Sequence, residues 1–162
     1  MNWAFGPSAL CLTAVPFVRN KVSQLLAQLI ALQYPEGTWP ACIQDMLAAL
    51  LRQPEHTDMF TRVLLALDQE VISLDIPRND SESRRSMALK DALRVRDIAD
   101  VVQAWKHIVV QQRAKSEDLT VACLSVVQKY ADWVDIQLLV QDDFVKLLFE
   151  LLCGVHLAEI CK

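Results

Sequence analysis

The sequence predicts an all-α solenoid of about three antiparallel helix pairs stacked into an α-α superhelix. Three observations carry that prediction. Apolar residues recur at helical spacings of three and four along most of the chain. Only 3 of the 162 residues are Gly, and hydrophobic residues make up 53%, led by the strong helix formers Leu and Ala. One plan also occurs twice: Tyr, a short break, Trp and an apolar helix, first in YPEGTWPACIQDMLAALL and again in YADWVDIQLLVQDDFVKLLFELL. Their tyrosines stand at 34 and 130, a separation that fits two repeats of about 40–47 residues, the size of HEAT and armadillo units. The expected architecture is therefore HEAT-like. A compact six-helix bundle is the alternative that pattern leaves open. Alternating β-branched runs and Gly- or Asn-rich hairpin turns are missing, which argues against a sheet.

The first helix should run from about Phe17 to Leu32, with Val22, Leu25, Leu26, Leu29 and Leu32 as its apolar stripe and Pro35 with Gly37 as its stop. Thr38 is the expected cap of the second helix and Pro40 suits its first turn. That helix carries Ile43, Met46, Leu47, Leu50 and Leu51 and ends before Pro54. A cap at Thr57 or Asp58 opens the third, striped by Phe60, Val63, Leu64, Leu67 and Val71. The fourth is expected to be one long helix from about Ser81 to Gln112, with Val95, Ile98, Val102, Trp105 and Val109 on one face. The fifth starts at a Ser116 cap and buries Leu119, Cys123, Val126 and Tyr130. After a turn at Trp133–Asp135 the sixth runs to about Leu152, its Phe144, Leu148 and Leu151 on one face and Gly154 as its breaker. Residues 1–16 are expected to be an unstructured or loosely attached leader, 17–154 the helical repeat domain and 155–162 a short tail. The leader lacks a basic n-region, and Pro7 and Pro16 interrupt its apolar run, unlike a signal peptide.

Composition excludes more functions than it suggests. No segment reaches the roughly 18 uninterrupted apolar residues of a membrane span, so no membrane partner is expected. Net charge is −4, which gives the whole chain no electrostatic drive toward nucleic acid. The five cysteines form no CxxC and read as reduced, three of them within apolar stretches. His56, His107 and His156 have no ligand spacing, so neither metal nor cofactor is expected. Gly-rich phosphate loops, GxSxG, HExxH and paired Cys/His sets are missing. Asp142 and Asp143 are adjacent and diverge by about 100° on a helix, so they do not make an acid/base dyad. The reading is no enzyme, no catalytic residue and no small-molecule substrate. Trp39, Trp105 and Trp133 fall at helix ends or on a core stripe, where packing explains them better than base stacking. The Leu147–Leu152 run reads as core.

One feature points outward. Arg84, Arg85, Lys90 and Arg94, with Arg78 and Arg96 nearby, are the basic concentration of an acidic chain. Lys90 and Arg94, four apart, share a helix face. The structural reading is a solvated face laced by pairs such as Asp91–Arg94. The functional reading is a patch for the phosphates of a nucleic acid or for an acidic partner.

Three segments resemble one family. FVRNKVSQLLAQLIALQYPEGTWPACIQDMLAALL resembles a helix pair shared by the exportin/importin-β (karyopherin) superfamily. DQEVISLDIPR, followed by ALKDALRVRDIADVVQAW, is similar more narrowly to the exportin-T, or tRNA exportin, lineage. YADWVDIQLLVQDDFVKLLFELL looks like the same lineage's Tyr-to-Phe hairpin, with Gln141 where Asn is usual. The resemblance implies a HEAT-repeat receptor that carries mature tRNA out of the nucleus with Ran-GTP, meets nucleoporins, and shuttles between nucleus and cytoplasm. It also implies that this chain is an early portion of a much longer solenoid. The alternative is a generic HEAT scaffold that joins proteins without transport activity.

Overall fold

The computed structural model describes residues 15–52, 56–73, 77–141 and 144–160, with the side chains of 51–52 and 154–160 outside the description. The expected leader therefore lies almost wholly outside the described residues. All regular structure among them is helical: α1 Pro16–Gln33, α2 Cys42–Arg52, α3 Thr57–Leu67, α4 Asp80–Arg96, α5 Ile98–Gln112, α6 Glu117–Tyr130, α7 Ile136–Val140 and α8 Phe144–Ile160. Helices α1, α3 and α6 lie side by side in one layer; α2 packs on α3, α5 on α6, and α7 on α5 and α8. This is the two-layer stacking of a HEAT-like solenoid, in which each pair buries its apolar face on its neighbours.

Pro16 opens α1 where its missing N–H costs nothing. The helix buries Ser23, Ala27, Ile30 and Ala31, and leaves Leu25, Leu29 and Leu32 exposed. Of the expected stripe only Leu26 packs against the core and Val22 is half-buried, while the α1 residues that are fully buried are mostly small. Gly37 turns the chain at φ 73°, a left-handed conformation that suits a residue without Cβ. Thr38 does not cap α2. Its hydroxyl instead donates back to the Gln33 carbonyl at 3.0 Å, closing the end of α1.

Helix α3 has its expected stripe, with Phe60, Val63, Leu64, Leu67 and Val71 all buried. Its N-cap is His56, not Thr57 or Asp58, and no side chain caps it. Asp58 serves another end: it accepts from Arg19 at 2.6 Å and from Arg62 at 2.8 Å, tying α1 to α3. The helix widens into a π turn over Asp68–Ile72. Tyr130 Oη, 1% exposed, donates to the Leu64 carbonyl at 3.0 Å at the onset of that turn. The widening shows at the far end of the turn, where the Ser73 N–H donates to the Asp68 carbonyl five residues back at 2.8 Å.

The long fourth helix is two helices. Asp97, at φ −130° and ψ −7°, separates α4 from α5. Ile98, Val102, Trp105 and Val109 are buried beyond the break, but Val95 before it is 84% exposed. Ser116 caps α6 through Leu119 N at 3.4 Å, as its sequence predicts. The sixth helix is also divided: Asp135 caps the short α7, Gln141 leaves helical geometry, and α8 begins at Phe144. Gly154 does not end α8, which continues to Ile160. Leu147 belongs to the core, but Phe149 and Leu152 are 62% and 67% exposed, so the leucine run is core only in part. Asp142 and Asp143 lie outside the described residues.

Candidate nucleic-acid interface

Helix α4 begins at a complete capping box. The Asn79 side chain accepts from the N–H groups of Ser81 and Glu82, both at 3.0 Å, and Glu82 Oε2 accepts the Asn79 N–H at 2.9 Å. The helix then packs through Ser86, Leu89 and Leu93. At about 100° per residue, that buried face fixes the direction of each basic side chain.

The four candidates do not form one patch. Arg84 and Arg85 are both exposed, and among the described residues neither has a hydrogen-bond or ion-pair partner. Lys90 and Arg94 share the opposite flank, as their spacing of four predicts, and meet the corner after α6. Arg94 donates from Nε and Nη2 to the Trp133 carbonyl at 3.1 and 3.0 Å, pairs with Asp91 at 3.0 Å, and sits 5.5 Å above the Trp133 ring. The expected Asp91–Arg94 pair is therefore present, together with two longer-range contacts.

Lys90 is half-buried and lines a cleft of about 360 Å³ with Asp68, Ile72, Ser73, Gln128, Lys129, Asp132 and Trp133. Burial above all, and then the charge of Arg94, pulls the Lys90 ammonium below its usual pKa. Lys129 Nζ stands 3.1 Å from Oδ2 of the buried Asp68, within ion-pair reach but outside hydrogen-bonding geometry. The two neighbouring arginines serve the fold. Arg78 donates to the carbonyls of Glu70 at 2.6 Å and Ser73 at 3.2 Å, closing the π turn. Arg96 donates to the Tyr34 carbonyl at 3.0 Å and lies 4.9 Å over the Tyr34 ring.

Sequence reasoning missed Asp68 and Lys129 altogether, since no local pattern connects them to Lys90. Trp133 was legible as packing, and it does pack on Tyr130 with ring centroids 5.1 Å apart. Trp105 is buried, edge-on to Tyr130 at 5.4 Å. A groove of about 640 Å³ lies between α2 and α5, lined by Leu47, Leu50, Ala104 and Val110 among others.

Comparison with known proteins adds a family to this geometry. The family model described as Exportin 1-like protein matches residues 15–161. Exportin-T of Arabidopsis thaliana is 40% identical over 144 residues, which are 89% of this chain and 14% of the relative. For Exportin-T of Danio rerio the figures are 34% over 144 residues, 89% and 15%. For that of Homo sapiens they are 32% over 132 residues, 82% and 14%. The chain thus spans about a seventh of the length of the curated relatives it matches. A match over nearly every described residue, on a stack of paired helices, leaves one assignment: the chain belongs to the Exportin 1-like family, and its kinship there is with exportin-T.

Proposed function

We propose that this chain is part of a nuclear export receptor of the exportin-T type. In that reading it is non-enzymatic, and the receptor carries tRNA out of the nucleus with Ran-GTP, contacts nucleoporins, and shuttles between nucleus and cytoplasm. The observation that carries it is the exportin-T similarity over 82–94% of the chain. Arg84 and Arg85 are the candidates for phosphate contact, being exposed and uncommitted among the described residues. Lys90 and Arg94 are the other candidates, reaching RNA from the Trp133 corner. A cradle of this kind works by many weak contacts, so a segment this short binds tRNA weakly by itself.

Filter binding with tRNA at low salt tests the last point, and submicromolar affinity for this chain would refute it. Charge reversal at Arg84 and Arg85 within a full-length exportin-T tests the interface. The expected result is weaker tRNA crosslinking and a shallower salt dependence, by about one for each lost phosphate contact; unchanged crosslinking removes both residues from the cargo surface. A second reading, a HEAT scaffold without transport activity, is favoured by the engagement of Arg78, Arg94 and Arg96 on backbone carbonyls. Under it, charge reversal leaves RNA contact unchanged and protein partners are lost instead.

A further inference from the structure

The cleft beside Lys90 holds two amines in unequal positions. Its walls are the π turn that ends α3, helix α4, and the end of α6 with the corner that follows. It therefore lies between neighbouring turns of the stack, and its lining includes no residue of α1 or α8. Lys129 is committed: its Nζ stands 3.1 Å from the buried carboxylate of Asp68. Lys90 is half-buried in the same cleft, and among the described residues it has no hydrogen-bond or ion-pair partner. No nearby carboxylate is left to pair with it. Asp68 faces Lys129, Asp91 pairs with Arg94 at 3.0 Å, and Asp132, the other acid of the cleft, is exposed. Arg94 and Arg78 add like charge to its surroundings.

An ammonium that is partly desolvated, faces like charges and lacks a carboxylate gives up its proton more easily than one in water. The lowered pKa of Lys90 agrees with this. The neutral amine is the form that attacks carbonyl carbons. We propose that Lys90 is a modification site, acylated by thioesters that enter this cleft. In that step the Lys90 nitrogen adds its lone pair to the thioester carbonyl carbon. The C–S bond breaks, the sulfur leaves with the bonding pair, and the proton shed by nitrogen ends on sulfur as the free thiol. An amide replaces the amine, and nothing is oxidised or reduced.

The cleft has room for an acyl chain, since its volume of about 360 Å³ falls within the roughly 300–1,000 Å³ of small-molecule sites. Its excess of cations favours an anionic thioester, such as an acyl-coenzyme A, over a neutral one. Acylation removes a charge, which relieves the repulsion from Arg94 and takes Lys90 out of the candidate phosphate contacts. The proposal does not rest on those contacts, because the chemistry needs no RNA.

Incubating the full chain with acetyl-coenzyme A near neutral pH, and following each lysine by peptide mass spectrometry, tests it. Lys90 should be acetylated at least about threefold faster than the exposed Lys115 and Lys146. Lys129, which shares the cleft but is tied to Asp68, should lag behind Lys90 by a similar factor. The lead of Lys90 should fade as pH rises to about 10.4, where ordinary lysines are largely neutral too. Lys129→Gln frees Asp68 to face Lys90 alone, and should slow Lys90 at least about threefold with an unchanged far-UV spectrum. Arg94→Gln removes a like charge and should slow Lys90 in the same direction, which keeps the test open if Lys129→Gln loses its helical spectrum. Labelling of Lys90 no faster than Lys115 and Lys146, or equal at Lys90 and Lys129, overturns the proposal. So does a Lys90 rate that both substitutions leave unchanged or raise in a folded chain.

Discussion

Tyr34 Oη donates to Oδ2 of Asp97 at 2.5 Å, joining residues 63 positions apart. Both are buried, Tyr34 at 0% and Asp97 at 5% exposure. The same carboxylate accepts from Gln44 Nε2 at 2.7 Å, and Gln44 also reaches Asp100 at 2.7 Å. Three elements, the end of α1, α2 and the α4–α5 junction, thus converge on one acceptor. An apolar stripe that could have continued as one helix is broken where that acceptor is needed. Burial, and then the hydrogen bond to Asp97, raises the Tyr34 phenol far above its usual pKa, so the hydroxyl stays a donor at any physiological pH.

Tyr34→Phe should therefore destabilise the chain by about 1–3 kcal/mol, because a buried carboxylate loses a donor and nothing replaces it. Urea denaturation with an unchanged m-value measures this, and amide exchange should quicken around residues 93–101. A loss below about 0.3 kcal/mol with unaltered exchange would mean that the helix breaks at Asp97 for another reason.

A second prediction concerns alkaline pH. Burial pushes the Cys42 and Cys123 thiols from their ordinary 9.0 up to about 12, with Asp97 adding to the effect at Cys42. A raised folded pKa means that the folded chain keeps a proton the unfolded chain has released. The stability it represents is complete below pH 9 and is lost as pH rises from 9 toward 12, at about 1.4 kcal/mol per pH unit for each thiol. Tyr34 and Tyr130 add to the loss above their ordinary 10.0. Urea midpoints should fall steeply above pH 9, and Cys42→Ala with Cys123→Ala should flatten that fall. Parallel curves for the two proteins would count against it.

What the sequence made legible follows from the range of the interactions. The α3 stripe, the α6 stripe from Cys123 to Tyr130 and the Ser116 cap are local, within one or two helical turns, and lie where spacing predicts, while Leu119 at the start of α6 is only half-buried. The break at Asp97 is bonded to Tyr34 and the onset of the π turn to Tyr130, partners more than 60 residues away, so no window of sequence contains either contact. The α1 stripe failed for a different reason: both sides of that helix are apolar, and periodicity cannot choose between a Ser/Ala face that packs closely and a Leu face that does not. The candidate site divides along the same line. The shared flank of Lys90 and Arg94 is a matter of spacing. Their engagement with Trp133 and Asp68 is not.

Asn79→Ala tests how far α4 depends on its own start. Removing the capping box leaves the N–H groups of Ser81 and Glu82 without their acceptor, a cost of about 1 kcal/mol. Fraying should be confined to the first turn, since the helix is held further on by Ser86, Leu89 and Leu93. Faster exchange at residues 80–84 with unchanged exchange at 89–96 is the expected pattern, and global loosening would show that the cap nucleates the whole helix.

Arg94 and the Arg84–Arg85 pair can be separated by what each substitution moves. Arg94→Ala removes two hydrogen bonds to the Trp133 carbonyl and a cation above its ring. Because the guanidinium side chain is 45% exposed, solvent screening limits the loss to about 1 kcal/mol. Arg94→Lys should not recover it, since one ammonium cannot reproduce the two-pronged contact. The Trp133 environment changes as well, which fluorescence should report against the contributions of the other three tryptophans. Arg84→Ala with Arg85→Ala breaks no contact among the described residues and should leave stability within about 0.5 kcal/mol of the parent. If RNA contact in a full-length receptor falls with the Arg84–Arg85 pair at constant stability, those two belong to the cargo surface. If it falls only with Arg94→Ala, and in proportion to lost stability, the basic residues of α4 hold the corner of the solenoid together and the cargo lies elsewhere.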